Sequence, residues 1–158
     1  KDVKALNFLS KSLSLRLPII NTIIKSNDEQ IYRLYDLIVD SKKSKISFLG
    51  VTFKMNTDDC RESPIIKTID LLKKNNSIKV SVFDELLEKT SYPVFKDNQN
   101  INICKTIEDC IHEGEVVVLS HKNSNYVNGL LIYSASKIII DLYGISDLKK
   151  LKYYMSLN

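Results

Sequence analysis

The chain has 158 residues, 44% of them hydrophobic and 27% charged, with a net charge of +4. These are globular proportions, ample for one cored domain and an appendage without disulfide staples. The lysines are scattered (Lys42-Lys43, Lys73-Lys74, Lys149-Lys150) rather than gathered in an aromatic-interleaved stripe, which argues against a nucleic-acid surface and fits an anionic small molecule equally well. No apolar run approaches the roughly 20 residues that cross a bilayer, and no signal peptide is visible. Cys60, Cys104 and Cys110 are odd in number and form no metal-ligand set with His112 or His121, so reduced thiols in a cytoplasmic protein are expected. The chain opens on Lys1 rather than methionine, as a piece of a longer protein would.

Taken in order, residues 2–13 carry Val3, Leu6, Phe8 and Leu9 against polar Lys4, Asn7 and Lys11, the pattern of an amphipathic helix. After a break at Leu17-Pro18, Ile20, Ile23, Ile24, Ile31, Leu34, Tyr35 and Ile38 recur at helical spacing, predicting one long helix with a buried stripe. Asn27 falls in that stripe. A buried amide must find partners or lose on the order of 1–3 kcal/mol, so it is read as a satisfied core group in preference to one that points into a site. Flexible joints are expected at 13–15 and 41–44.

Strands are then predicted at 46–49, 79–84, 101–104, 115–120 and 137–142. Helices are predicted at 64–75, 107–112 and 125–134, with an irregular stretch at 85–100 broken by Pro93 and a short basic tail at the end. Val116-Val117-Val118-Leu119 reads as a central strand buried on both faces. Alternating strands and helices with short connections mean right-handed crossovers. The expected fold is therefore α/β, a Rossmann-like parallel sheet with helices on both faces, preceded by a long helical segment. The domain division expected is 1–44 for the helical segment and 45–158 for the sheet domain.

The most informative stretch runs from Lys45 to Pro64. It reads as strand, polar loop and helix start, with Gly50 releasing the backbone and Ser63-Pro64 forming an N-cap followed by proline at the first helical position. Lys54, Asp58, Asp59, Arg61 and Glu62 crowd a loop at the carboxyl end of a strand, where open α/β sheets place their ligands; the competing reading is a solvated loop. Only Gly50 supplies glycine there, followed by bulky Val51, Thr52 and Phe53. A pyrophosphate cannot approach this turn as it does a three-glycine turn, so autonomous NAD binding at this sheet is rejected. Without that fingerprint, Asp84 is read as a strand-terminating cap rather than a ribose ligand. Lys54 is a mobile point charge beside Phe53, suited to a phosphate or sugar hydroxyl. Arg61 offers a planar fork for phosphate or, alternatively, for a salt bridge to Asp58, Asp59 or Glu62. Asp58 and Asp59 are read as orienters, and Cys60 has no chemical role.

Gly50-Val51-Thr52-Phe53-Lys54, Thr57-Asp58-Asp59 and Arg61-Glu62-Ser63-Pro64 together resemble the signature opening the C-terminal domain of the UDP-glucose/GDP-mannose dehydrogenases. The resemblance extends upstream through residues 1–6 and Lys25-Ser26-Asn27. Downstream it continues through Val82-Phe83-Asp84, residues 116–120 and residues 138–141. Residues 1–27 and 57–64 are most similar to the GDP-mannose 6-dehydrogenase branch. The resemblance implies that Lys54 contacts the nucleotide sugar and that Arg61 reaches NAD bound mainly by another, N-terminal domain. It also implies a nucleophilic cysteine three residues before Lys1, with Lys1 near the cofactor and Asp2 the carboxylate assisting the hydrolytic steps.

The implied reaction is a four-electron oxidation of GDP-mannose to GDP-mannuronate in two hydride transfers through a cysteine thioester. UDP-glucose and a UDP-N-acetylhexosamine are the alternative substrates. The helix near residues 18–39 is implied to be the core of a homodimer. The chain alone, lacking the cysteine and the cofactor domain, is expected to be inactive. A reading from another class is a noncatalytic nucleotide-binding or dimerisation module on the same sheet.

Overall fold

A computed structural model describes residues 2–87, 95 and 99–157. Two helices lead, α1 (Asp2–Ser12) and α2 (Pro18–Asp40), and an alternating series follows: β1 (Lys45–Leu49), α3 (Pro64–Leu72), β2 (Lys79–Phe83), β3 (Ile101–Ile103), α4 (Ile107–Glu113), β4 (Val116–Leu119), α5 (Ser124–Tyr133), β5 (Ile138–Asp141) and β6 (Tyr154–Ser156). The six strands form one sheet in the order β3-β2-β1-β4-β5-β6, and every neighbouring pair is parallel. That is the doubly wound order, with its reversal point between β1 and β4.

The starts of α3 and α4 have local causes. Ser63 caps α3, its hydroxyl accepting from the Ile66 amide, and Pro64 fills the first position, where an amide proton has no helical partner. Thr106 caps α4 in the same way through the Asp109 amide at 3.0 Å. The sheet is covered on both faces. One core cluster holds Leu34, Ile38, Phe48, Ile69, Leu72 and Val118, and the other holds Leu49, Ile111, Val117, Leu119, Tyr126 and Leu130. Ser47, the polar member of the alternation in β1, is buried too; a Cβ on Gly114 would stand 2.5 Å from its hydroxyl, so a glycine is needed where α4 turns into β4.

Three expectations change. The tail is not merely a tail: Tyr154–Ser156 pairs with β5 as a sixth parallel strand. The stripe on α2 is buried only in its second half, at Ile31, Leu34 and Ile38. Asn27 lies in the first half, which stands clear of the sheet; it is exposed and lines a surface cleft instead of the core. The irregular stretch expected over 85–100 lies largely outside the described residues.

Candidate functional site

The turn after β1 begins at Gly50, whose φ of +92° is the left-handed conformation that glycine alone adopts freely. A Cβ there would sit 2.5 Å from the His121 ring. His121 follows β4, is 5% exposed, and fills the crevice between β1 and β4. Its Nε2 lies 3.0 Å from the Thr52 carbonyl; a carbonyl only accepts, so Nε2 carries the proton. Its Nδ1 stands 3.7 Å from Asp84 Oδ2.

Asp84 completes the arrangement from the end of β2. Its Oδ2 accepts from the Val51 amide at 2.8 Å and the Thr52 amide at 3.1 Å, and the Thr52 hydroxyl lies 3.0 Å away. Its Oδ1 accepts from the Leu86 amide at 3.3 Å. The cap reading of Asp84 therefore holds for its own turn, while its shorter bonds go to a loop remote in sequence. In a dinucleotide fold the amides of this first turn face a pyrophosphate. Here a buried carboxylate has taken two of them and an imidazole occupies the crevice, so these amides are not turned to a pyrophosphate.

Beyond Thr52 the loop turns outward but stays ordered by its own bonds. The Phe53 amide donates to the Asp59 carbonyl at 2.7 Å, and the Thr57 hydroxyl donates to the Lys54 carbonyl at 3.0 Å. The Ser63 hydroxyl donates to the Val51 carbonyl at 2.7 Å. Asn56 and Glu62 adopt φ of 64° and 62°, a region that costs a non-glycine residue energy, less for asparagine. Lys54 is exposed and Phe53 half-buried. Phe53 lines a cleft of about 320 Å³ with Lys4, Ile24, Asn27, Glu62 and Thr68; Lys54 stands next to that wall without lining it.

Arg61 is 75% exposed and grips Asp59 with two nitrogens, Nε to Oδ1 at 2.9 Å and Nη2 to Oδ2 at 3.3 Å. Asp59 also accepts from the Arg61 amide at 3.0 Å. Asp59 is thus an orienter, and the salt bridge weighed against a ligand role is present, on a side chain that remains largely exposed. Asp58 is exposed. Cys60 is buried, and burial first, then the carboxylates of Asp84, Asp59 and Asp58, push its thiol up to about 11.

Asp2 is exposed in the first turn of α1, and Lys1 lies outside the described residues. Two residues after Asp2, Lys4 pairs with Glu62, which also meets Lys67 of α3 at 3.2 Å. The bond from Lys4, then that from Lys67, hold the Glu62 carboxyl below its usual range. This network joins the helix carrying Asp2 to the loop carrying Arg61.

The residue that sequence reasoning missed is His121. Its only signal was a polar pair, Ser120-His121, closing the most apolar strand of the sheet. Ser120 also acts locally, donating to the Leu49 carbonyl at 2.9 Å and approaching that of Gly50. Among the described residues no group of three His, Cys, Asp or Glu side chains is arranged to hold a metal, and no helix is long and apolar enough to cross a membrane.

The sequence profile of the UDP-glucose/GDP-mannose dehydrogenase family, UDP binding domain, matches residues 47–148. The chain belongs to this family. Curated relatives include a GDP-mannose 6-dehydrogenase of Pseudomonas putida, 28% identical over 93% of this chain, and a UDP-glucose 6-dehydrogenase of Rickettsia bellii, 32% identical over 92% of it. The chain spans 35% of the length of each. Among solved structures, a ternary complex of GDP-mannose dehydrogenase from Pseudomonas aeruginosa superposes with a TM-score of 0.83 at 22% identity, covering 99% of this chain and 37% of that one. A UDP-glucose dehydrogenase from Pyrobaculum islandicum gives 0.77 at 20%, covering 99% and 36%. At these identities the structural likenesses show the fold, helical segment included.

Proposed function

We propose that this chain is the C-terminal, nucleotide-sugar-binding part of an NAD-dependent 6-dehydrogenase that oxidises GDP-mannose to GDP-mannuronate. The observation that carries the proposal is the loop after β1: its inner half is bonded to Asp84 and His121, and its outer half presents Lys54 and Arg61 to solvent beside the Phe53-lined cleft. A turn whose amides are spent internally is poorly suited to a cofactor pyrophosphate, but the two cations beyond it suit anionic ligands, Lys54 the nucleotide sugar and Arg61 a cofactor held elsewhere.

In this reading residues 1–44 are the helical segment and 45–158 the sugar-nucleotide domain. Lys54 holds a phosphate or sugar hydroxyl, Lys1 and Arg61 serve the cofactor, and Asp2 assists the hydrolytic steps. NAD, bound by a part of the full protein outside this chain, accepts the hydrides, and a cysteine also outside it forms the thioester. The helix near residues 18–39 pairs two copies, and the protein works in the cytoplasm. The 158-residue chain alone is inactive.

A second reading, oxidation of UDP-glucose, draws on the higher identity to the Rickettsia relatives, 30% and 32%. GDP-mannose is favoured because residues 1–27 and 57–64 most resemble the GDP-mannose 6-dehydrogenase branch, to which six of the curated relatives belong.

The test is substitution in the full-length protein. Lys54→Ala is expected to weaken nucleotide-sugar binding by roughly 1.5–3 kcal/mol, the scale of a hydrogen bond to a charged group; unchanged affinity and turnover would remove Lys54 from the site. Arg61→Ala is expected to impair use of NAD in a folded protein. A melted domain with normal cofactor dependence in what remains folded would reduce Arg61 to its salt bridge with Asp59.

A further inference from the structure

We propose that His121 is a positioning residue for nucleotide-sugar binding, acting through Lys54; the proposal rests on the reading of Lys54 given above. At 5% exposure, His121 cannot itself touch a ligand. Its Nε2–H donates to the Thr52 carbonyl at 3.0 Å, and Thr52 is the residue where the loop's inner and outer halves are joined. The Thr52 hydroxyl lies 3.0 Å from both Asp84 Oδ2 and the Lys54 carbonyl. Its single proton is shared between them, so the position of Thr52 sets the backbone from which the Lys54 side chain departs.

The Thr52 amide is fixed by Asp84 and its carbonyl by His121, leaving the peptide planes on either side little freedom to rotate. Without the imidazole donor the carbonyl plane is released, and a lysine two residues on loses its aim by an amount that matters at hydrogen-bond tolerances. The side chain must reach from β4 across to the turn and pack against Gly50, where no Cβ intervenes. An imidazole meets both demands. Glutamine spans a similar distance and carries an amide donor at its tip; leucine fills the space without a donor, and asparagine has a donor but is too short.

The experiment is a double-substitution cycle in the full-length protein, reading KM for the nucleotide sugar, KM for NAD and kcat from NADH formation. His121→Leu is expected to raise the nucleotide-sugar KM about tenfold, the scale of one lost hydrogen bond, with the NAD KM unchanged. His121→Gln is expected to restore it to within about threefold, the residual reflecting an imperfect isostere. In a Lys54→Ala background, His121→Leu is expected to have no further effect on that KM, because the residue it positions is gone.

Additive effects, or a fall in kcat accompanied by similar rises in both KM values, would overturn the proposal and leave the Lys54 reading standing. No effect of Lys54→Ala by itself would remove that reading and the proposal with it. If His121→Leu does not fold by circular dichroism, the same cycle is run with His121→Asn, where full retention of the wild-type KM overturns the proposal and a rise confined to the Lys54 background supports it.

Discussion

Two regions of this molecule carry comparable apolar sequence and treat it oppositely. In the sheet body, Ile38, Phe48, Ile69 and Leu72 are completely buried. In the arm made of α1 and the first half of α2, Phe8 is 77% exposed and Ile19 74%. Helical periodicity reports that a face seeks cover without reporting what supplies it. In the body the sheet supplies it; in the arm the described residues leave much of it open, and the first half of α2 belongs to the helix proposed above to pair two copies. Leu6, Leu9, Leu13 and Leu15 are exposed on the same arm.

The sharpest way to break this contrast is truncation in each region. Ile69→Ala should destabilise the chain by about 2–5 kcal/mol in urea unfolding, the usual cost of a cavity in a core. Phe8→Ala should stay within about 0.5 kcal/mol in the separated chain. Equal costs would mean that the arm is cored after all.

The turn after β1 belongs with the body although it is a loop. Gly50→Ala should cost about 1–3 kcal/mol from backbone strain at its φ of +92°, and displacing the His121 ring adds to it. Thermal melting beside Phe8→Ala gives the comparison, and an unshifted midpoint would mean that the turn is free to relax. Cys60, at the far end of the same loop, tests burial chemically. With its thiol pushed up to about 11, it should alkylate far more slowly with iodoacetamide at pH 8 than in the denatured chain, since the thiolate is the nucleophile. Equal rates would show the loop opening freely.

The smallest effect is expected where the arm touches the body, at Lys4–Glu62–Lys67. These groups are 38–48% exposed, so Glu62→Gln should cost at most about 1 kcal/mol. Because the folded protein holds the Glu62 carboxyl low, its contribution is present above the ordinary carboxylate range and is lost as pH falls through the folded value. Stability of wild type and Glu62→Gln should therefore converge in acid. A gap that persists there would assign the effect to the side chain's packing and hydrogen bonding rather than to charge.

Much of this was legible in the residues because the physics is local. The five strands read from sequence are short apolar runs between turn signals, and Ser63-Pro64 and Thr106 mark helix starts by capping chemistry that acts within one turn. What was not legible depends on distant partners. Strand β6 is three residues without an apolar run, held by pairing with β5 and by the Tyr154 hydroxyl on buried Asp141 at 3.1 Å. Asn27 was misread because periodicity continues along α2 after the helix has left the sheet. Asp84 and His121 act on Val51 and Thr52 from strands β2 and β4, and no spacing rule connects residues that meet only when a parallel sheet has formed.

For the full protein the proposed reaction is a four-electron oxidation of a nucleotide sugar. The measurement that tests it most directly is NADH formed per sugar consumed, with GDP-mannose and UDP-glucose offered separately. Two NADH per GDP-mannose are expected, one for each hydride transfer. Two per UDP-glucose would keep the chemistry and move the substrate, whereas one NADH per sugar, or none with any nucleotide sugar, would contradict it.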